Sequence, residues 1–237
     1  TNGKILNFNY SGNLISYHTI DTKLRFSPRN LFILEDKMFL TYGAFKENMY
    51  FLGNLSSGKG KYYLKYPMLP NISKEQQKKY SLARSYAYMG YLLKHPSKYR
   101  FVYSTISTEY IQIIEIYNNE VIEVKSIQYA PLDGKIVFKI DDYVWLDNPY
   151  SKARFVSGSV SNDYIYLLHS GKVFKGGDFW TGKQVYVFDW NGNPIRKIEL
   201  NTEIETFCVD NENKILYGFT TNKETMENEI HLYNISI

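Results

Sequence analysis

The chain repeats itself. Residues 5–15 (ILNFNYSGNLI) align with residues 185–195 (VYVFDWNGNPI) without a gap. Phe8 falls on Phe188, Tyr10 on Trp190, and Gly12-Asn13 on Gly192-Asn193. Each copy is an apolar-alternating arm, a turn and a second arm, the pattern of a β-hairpin; in the 185–195 copy Asn191-Gly192 supplies the positive φ a tight turn needs. A third copy runs from Ile111 to Ile127 with its turn at Asn118-Asn119, and a shortened fourth is Ile230-His231-Leu232-Tyr233-Asn234. The second arm of the 185–195 copy, from Pro194 to Leu200, carries Arg196, Lys197 and Glu199. Charge and a leading proline suit an outer strand that must not pair with a neighbour.

A different hairpin precedes these units. It reads as 31–42 with a turn at Glu35-Asp36-Lys37, as 157–168 with a turn at Ser161-Asn162-Asp163, and as 207–219 with a turn at Asp210 to Asn213. Two hairpins in series make a four-stranded meander. Meanders recurring at roughly 40–50 residues are the mark of propeller blades. The expected fold is therefore all-β, a single β-propeller domain over 1–237. Its blades are expected at about 28–67, 83–130, 150–200 and 203–237, with an N-terminal half-blade at 4–20. The last blade lacks an outer strand in this reading. Residues 4–20 either supply that strand or are the tail of a first blade. Insertions at 68–82 and 131–149 break the period. The first is expected to hold a short helix over 73–82, from the capping-box spacing of Ser73 and Gln76. The second is expected to be a loop with one or two extra strands, or a degenerate blade.

Composition agrees with a β-fold where it deviates from average. Tyrosine occurs 23 times in 237 residues, and tyrosine places an apolar ring inward with a hydroxyl at the wet edge of a strand. The net charge of +4 is too small for a nucleic-acid binder, and the densest basic stretch, Lys74 to Lys79, is broken by Glu75 and reads as a solvated helix face. No apolar run is long enough for a transmembrane helix. The one cysteine, Cys208, excludes an internal disulfide; in Thr206-Phe207-Cys208-Val209 it is expected to be a buried small residue.

The residues that carry the hairpins also carry a family resemblance. Residues 185–194, followed by Asp210-Asn211-Glu212-Asn213-Lys214-Ile215-Leu216-Tyr217, resemble the last blades of the TolB-like six-bladed β-propeller proteins found among exported bacterial lipoproteins. Residues 94–103 (KHPSKYRFVY) resemble their mid-chain signature. The resemblance implies six blades, of which five units are visible with the N-terminal one partial. It implies export to the periplasm or the outer membrane, with a lipid anchor on an N-terminal segment. It carries no catalytic residue.

Chemistry-bearing motifs are sparse. Residues 53–60 (GNLSSGKG) approach a phosphate-binding loop but have Gly60 where a magnesium-holding Ser or Thr belongs, and a strand follows. Residues 177–184 fail in the same way, at Gln184. His18, His95, His169 and His231 show no metal-ligand spacing, so neither a metal nor a cofactor is expected. His95, before Pro96, reads as structural, whereas His169 ends a strand and would line a propeller face. Asp141, Asp142 and Asp147 lack the regular oxygen-ligand spacing of a calcium loop. Trp145 and Trp180 sit in polar insertions, where an aromatic ring serves as an anchor for a partner or a sugar. Trp145, Trp180, His169 and Asp178 are accordingly the candidate binding residues, and no catalytic set is expected. The expected function is a non-enzymatic binding or scaffold propeller that contacts a protein partner, in an outer-membrane complex, or a glycan through loops on one face. The alternatives are a glycan-active hydrolase or lyase with carboxylates such as Asp163, Asp178 and Asp210 at the central channel, and a structural subunit of an outer-membrane assembly.

Overall fold

The computed structural model describes residues 3–8, 11, 14–20, 30–45, 47–69, 73–75, 81–129, 136–138, 144–146, 151–174 and 178–237. They form an all-β chain of antiparallel meanders. Blade I is β3 (Asn30–Ile33), β4 (Met38–Phe45), β5 (Asn48–Asn54) and β6 (Gly60–Lys65). Blade II is β7 (Gly90–Lys94), β8 (Arg100–Thr105), β9 (Tyr110–Tyr117) and β10 (Glu120–Gln128). Blade III is β13 (Phe155–Val160), β14 (Tyr164–His169), β15 (Gly182–Asp189) and β16 (Pro194–Ile204). Blade IV has three strands, β17 (Thr206–Val209), β18 (Ile215–Thr221) and β19 (Asn228–Asn234). Two hairpins stand apart from the blades, β1 (Gly3–Phe8) with β2 (Leu14–Ile20) and β11 (Ile136–Phe138) with β12 (Val144–Leu146).

The repeat seen in the sequence persists at the level of register. Phe188 pairs with Pro194 after a bulge between Val187 and Phe188. Phe8 pairs with Leu14 after a bulge between Asn7 and Phe8, the same offset in the repeat. The β1–β2 hairpin is therefore the equivalent of the third and fourth strands of a blade. It forms its own two-stranded sheet, so β1 does not serve as the missing outer strand of blade IV. In the 189–193 turn only Gly192 has positive φ, at 79°; Asn191 does not. The Asp189 carboxylate does the rest, accepting hydrogen bonds from the Asn191 and Asn193 backbone N–H at 2.8 Å each. Such side-chain capping fixes a turn without demanding a second left-handed residue.

Blades pack face to face, each on the next. Between blades I and II the core is rich in tyrosine: Tyr42, Tyr50, Tyr63, Tyr66, Tyr88, Tyr103 and Tyr110 meet Leu40, Leu52, Leu92, Phe101 and Ile114. The hydroxyls there are paired. Tyr42 donates to the Gly90 carbonyl at 2.6 Å, Tyr103 to the Tyr88 carbonyl at 2.6 Å, and Tyr50 to Gln112 Oε1 at 2.8 Å. A buried hydroxyl without a partner would cost more than its ring gains at the margin, so these acceptors make the tyrosine excess compatible with a core. Blades II and III meet through Val102, Ile111 and Ile113 against Phe155, Ile165, Leu167, Phe188 and Trp190. Blades III and IV meet through Tyr166, Leu168, Val185, Val187 and Ile198 against Phe207, Leu216 and Ile235.

Direct contact of blades II and III leaves no room for a blade between them. The β11–β12 hairpin instead lies with β12 beside helix α1 (Ser81–Ala87). Of the 131–149 insertion the structure describes residues 136–138 and 144–146, which pair as β11 and β12. Residues 74 and 75 are helical, and the expected helix over 73–82 otherwise falls largely outside the described residues; α1 begins where that reading ends.

Cys208 is exposed, not buried. Strand alternation sends Phe207 and Val209 toward blade III and Cys208 to the opposite face of blade IV. The sequence Thr-Phe-Cys-Val does not say which face has a neighbour.

Candidate functional site

A four-stranded meander has two ends with different connections. At one end lie the turns between first and second strands and between third and fourth. At the other lie the loops between second and third strands and the crossings to the next blade. In this chain the first end carries only tight turns, at residues 34–37, 55–59, 95–99, 118–119, 161–163, 190–193 and 210–214. One of them is the phosphate-loop-like stretch, where Asn54 Oδ1 accepts from the Ser56 and Ser57 N–H at 3.0 Å each and Gly58 sits at φ 65°. The other end carries the long connections: residues 66–89 with α1, residues 129–154 with β11 and β12, and residues 170–181.

Contacts between blades show that these ends are in register around the series. Turn meets turn where Glu35 N–H donates to the Tyr99 hydroxyl, Ser97 Oγ to Asn162 Oδ1, and Asn213 Nδ2 to Asp163 Oδ2. Loop meets loop where Lys223 Nζ pairs with Asp178. The molecule therefore has a turn face and a loop face.

All four candidate binding residues of the sequence belong to the loop-face connections. His169 ends β14, Asp178 and Trp180 form a one-turn 3-10 helix in the 170–181 loop, and Trp145 is the middle residue of β12, paired with Val137. Trp145 is thus part of a strand rather than a loop.

The His169 neighbourhood is the most structured part of this face. Its Nε2 lies 3.2 Å from Glu109 Oε1, and the same carboxylate oxygen takes Arg154 Nη1 at 3.1 Å. Phe155 and Tyr186 pack edge-on against the imidazole. Glu109 comes from the β8–β9 loop of blade II, and Arg154 and His169 from blade III, so the cluster ties two blades together. Burial holds the His169 imidazole below its usual range, although the Glu109 carboxylate pulls it the other way. A neutral imidazole beside an ion-paired carboxylate and a guanidinium is a set of directional polar groups, half-buried and fixed in place.

Next to it, the 170–181 loop is pinned by charge. Lys172 Nζ reaches Glu203 Oε2 and Thr181 Oγ1, both at 2.6 Å, and the lysine holds the Glu203 carboxyl below the usual range. Lys223 does the same to the Asp178 carboxyl from blade IV. These ties present the aromatic run Phe174, Phe179 and Trp180, whose rings meet tilted in sequence with centroids 4.9 and 4.5 Å apart. Trp180 remains 45% exposed.

His95, by contrast, is fully buried, takes the Ser97 N–H on Nδ1 at 3.1 Å and stacks on Trp190 at 4.7 Å. Asp163 and Asp210 lie in turns of the turn face, and Asp178 lies in a loop of the loop face, so the three carboxylates do not converge. Asp210 Oδ1 caps its own turn by accepting from the Lys214 and Ile215 N–H. Asp141, Asp142 and Asp147 lie outside the described residues. Among the described residues no three His, Cys, Asp or Glu side chains gather as a metal site. A small cavity of about 170 Å³ opens on the turn face between Leu34, Met38, Tyr99, Ile116 and Asn119, below the size of an ordinary small-molecule site.

The partners Glu109 and Arg154 had no local signal in the sequence. They lie 60 and 15 positions from His169, and only the blade-to-blade contact joins them. The one usable hint was topological, since both fall at blade ends of the same type.

A family model described as TolB-like 6-blade propeller-like matches residues 4–212. The chain belongs to this TolB-like propeller family. Two solved structures agree on the fold. The TolB-like chain is similar to a member of the DUF4221 family from Bacteroides vulgatus, with a TM-score of 0.55 at 10% identity over 98% of this chain and 73% of that one. It is also similar to Raptor of Chaetomium thermophilum, with a TM-score of 0.50 at 11% identity over 94% of this chain and 16% of that one. A third likeness is to the Pan2 WD40 domain of Neurospora crassa, with a TM-score of 0.49 at 11% identity over 98% of this chain and 60% of that one. The TolB-like chain thus spans less than two thirds of the Pan2 and Raptor chains. At these identities the likeness is one of fold. No curated protein matches the sequence. Among the described residues of this TolB-like chain no helix is long and apolar enough to cross a membrane.

Proposed function

We propose that this TolB-like propeller is a non-enzymatic binding or scaffold module that engages a protein partner through its loop face. One observation carries the reading: the long connections at 66–89, 129–154 and 170–181 all emerge on that face, and one of them holds the exposed Trp180 above a pinned aromatic run. Insertions on a rigid scaffold are where binding residues concentrate, and tryptophan is enriched among interface anchors. His169, Glu109 and Arg154 supply fixed polar partners close by, and Asp178 holds the loop rather than the ligand. Trp145 belongs to the same face through its backbone. The separation of Asp178 from Asp163 and Asp210 favours binding over a carboxylate-pair hydrolase. The family resemblance supports an exported protein acting in the periplasm or at the outer membrane.

The test is site-specific photo-crosslinking in the producing cell. A benzophenone side chain at position 180 is expected to give a discrete protein adduct, and one at position 193 on the turn face is not. Trp180→Ala should abolish the adduct formed from a neighbouring loop-face position while the melting temperature stays unchanged. Adducts from position 193 alone, or a turnover of glycans or esters by the purified protein, would overturn the reading.

A further inference from the structure

Blade IV ends on an edge unlike those of its siblings. In blades I, II and III the outermost strand exposes charge: Lys61 and Lys65 on β6, Glu120, Glu123 and Lys125 on β10, and Arg196, Lys197 and Glu199 on β16. Charge on an edge strand opposes pairing with another chain. The outermost strand of blade IV is β19, and its exposed residues are Asn228, Ile230, Leu232 and Asn234, all neutral. Ile230 and Leu232 are 67% and 65% exposed.

The backbone of the same residues is also free to pair. Residues on β18 and β19 are matched as Ile215 with Asn234 through Thr221 with Asn228. The bonds just beyond both ends, Asn222 N–H to the Glu227 carbonyl and Ile235 N–H to the Lys214 carbonyl, set the alternation. Hydrogen-bonded pairs recur every second residue in an antiparallel ladder, so Glu229, His231 and Tyr233 bond inward to β18. Asn228, Ile230, Leu232 and Asn234 direct their N–H and C=O outward, and among the described residues no strand receives them.

We propose that β19 pairs with β19 of a second copy of this chain, antiparallel about a two-fold axis at His231. The register is self-complementary. A centre at His231 sets Ile230 opposite Leu232 of the other copy and Asn228 opposite its Asn234, so every outward backbone group meets another. At the centre the two His231 side chains face each other, each 3.1 Å from the Glu229 carboxylate of its own strand, and Glu229 lies opposite the neutral Tyr233 of the other copy. Opposed residues of an antiparallel pair share a face, so both copies' Ile230 and Leu232 form one apolar patch there. Tyr217 and Phe219, matched on β18 to Leu232 and Ile230, continue that patch on each side. The contact is isologous and closes at two copies, which distinguishes it from open-ended edge aggregation.

Sedimentation velocity across a concentration series tests this on the whole 237-residue chain. The expected result is a reversible dimer that the double variant Ile230→Lys, Leu232→Lys converts to a monomer with unchanged melting temperature. Residue-resolved amide exchange on the native protein needs no variant. The Ile230 and Leu232 amides should slow at least tenfold from dilute to concentrated samples, whereas Glu229 and Tyr233 should not change. A chain that stays monomeric throughout, as it would if another protein supplied the fourth strand, overturns the proposal. So does a dimer in which the Ile230 and Leu232 amides exchange as fast as in the monomer.

Discussion

Removing one oxygen from the blade I–II interface should unsettle it measurably. Tyr50 is fully buried, and its hydroxyl donates to Oε1 of the equally buried Gln112 at 2.8 Å. Tyr50→Phe keeps the ring, including its edge-on contact with Tyr103 at 6.2 Å, so no cavity forms. The Gln112 oxygen is left without a donor. The amide cannot turn over to compensate, because Nε2 already donates to Glu123 Oε2 and Ser126 Oγ, and reversing it would set oxygen against carboxylate. A buried acceptor stripped of its partner costs about 1–3 kcal/mol, and we expect about 2 kcal/mol here. For a domain of this size each kcal/mol moves the melting temperature by about 2–4 °C, giving a fall of about 4–8 °C. Gln112→Leu alone should cost a similar amount by orphaning the tyrosine hydroxyl. The double variant should then be less destabilised than the sum, with a coupling of about 1–2 kcal/mol in a denaturant-based double-mutant cycle. A single Tyr50→Phe within about 0.5 kcal/mol of wild type would refute the argument, since water would have to reach Gln112 and the interface would not be dry.

Further expectations follow from other features. Both His95 and His169 are held below the usual imidazole range by burial. Their unfolded forms bind protons first as pH falls, so stability present above about pH 6.5 is lost below it; the melting temperature should drop between pH 7 and 5, and His95→Gln or His169→Gln should flatten that slope. Cys208 should react with a thiol reagent at one equivalent per chain without denaturant, and slow, unfolding-limited labelling would contradict its exposure. A Cβ on Gly90 would lie 1.9 Å from the Ser104 carbonyl oxygen, so Gly90→Ala should cost about 3 kcal/mol in urea unfolding through overpacking; an unaffected midpoint would mean that β7 can move away from β8 freely.

The blades were legible in the sequence because each is a local object. Residues 185–195 show their strand, turn and strand within one hairpin, and the same bulge offset recurs at 5–15 because the same local pattern produces it. What depends on neighbours was not legible. Phe207 and Cys208 alternate, but only the presence of blade III on one side decides which is buried. The polar cluster at His169 is assembled from two blades, and no spacing along the chain announces Glu109 or Arg154. Helix α1 was hidden by its own composition, since Tyr86 and Tyr88 around Ala87 imitate the period-two pattern of a strand.

The face-to-face series has a thermodynamic consequence. Cores lie between consecutive blades, each closed by its two neighbours, so cohesion behaves like coupling along a row of units rather than a single central mass. Substitutions in the tyrosine-rich junction of blades I and II should then add to those in the junction of blades III and IV, while pairs that share blade II or blade III should not. Stiffness should peak at the middle junction, where Trp190 stacks on His95 and donates its Nε1–H to the Ser161 carbonyl.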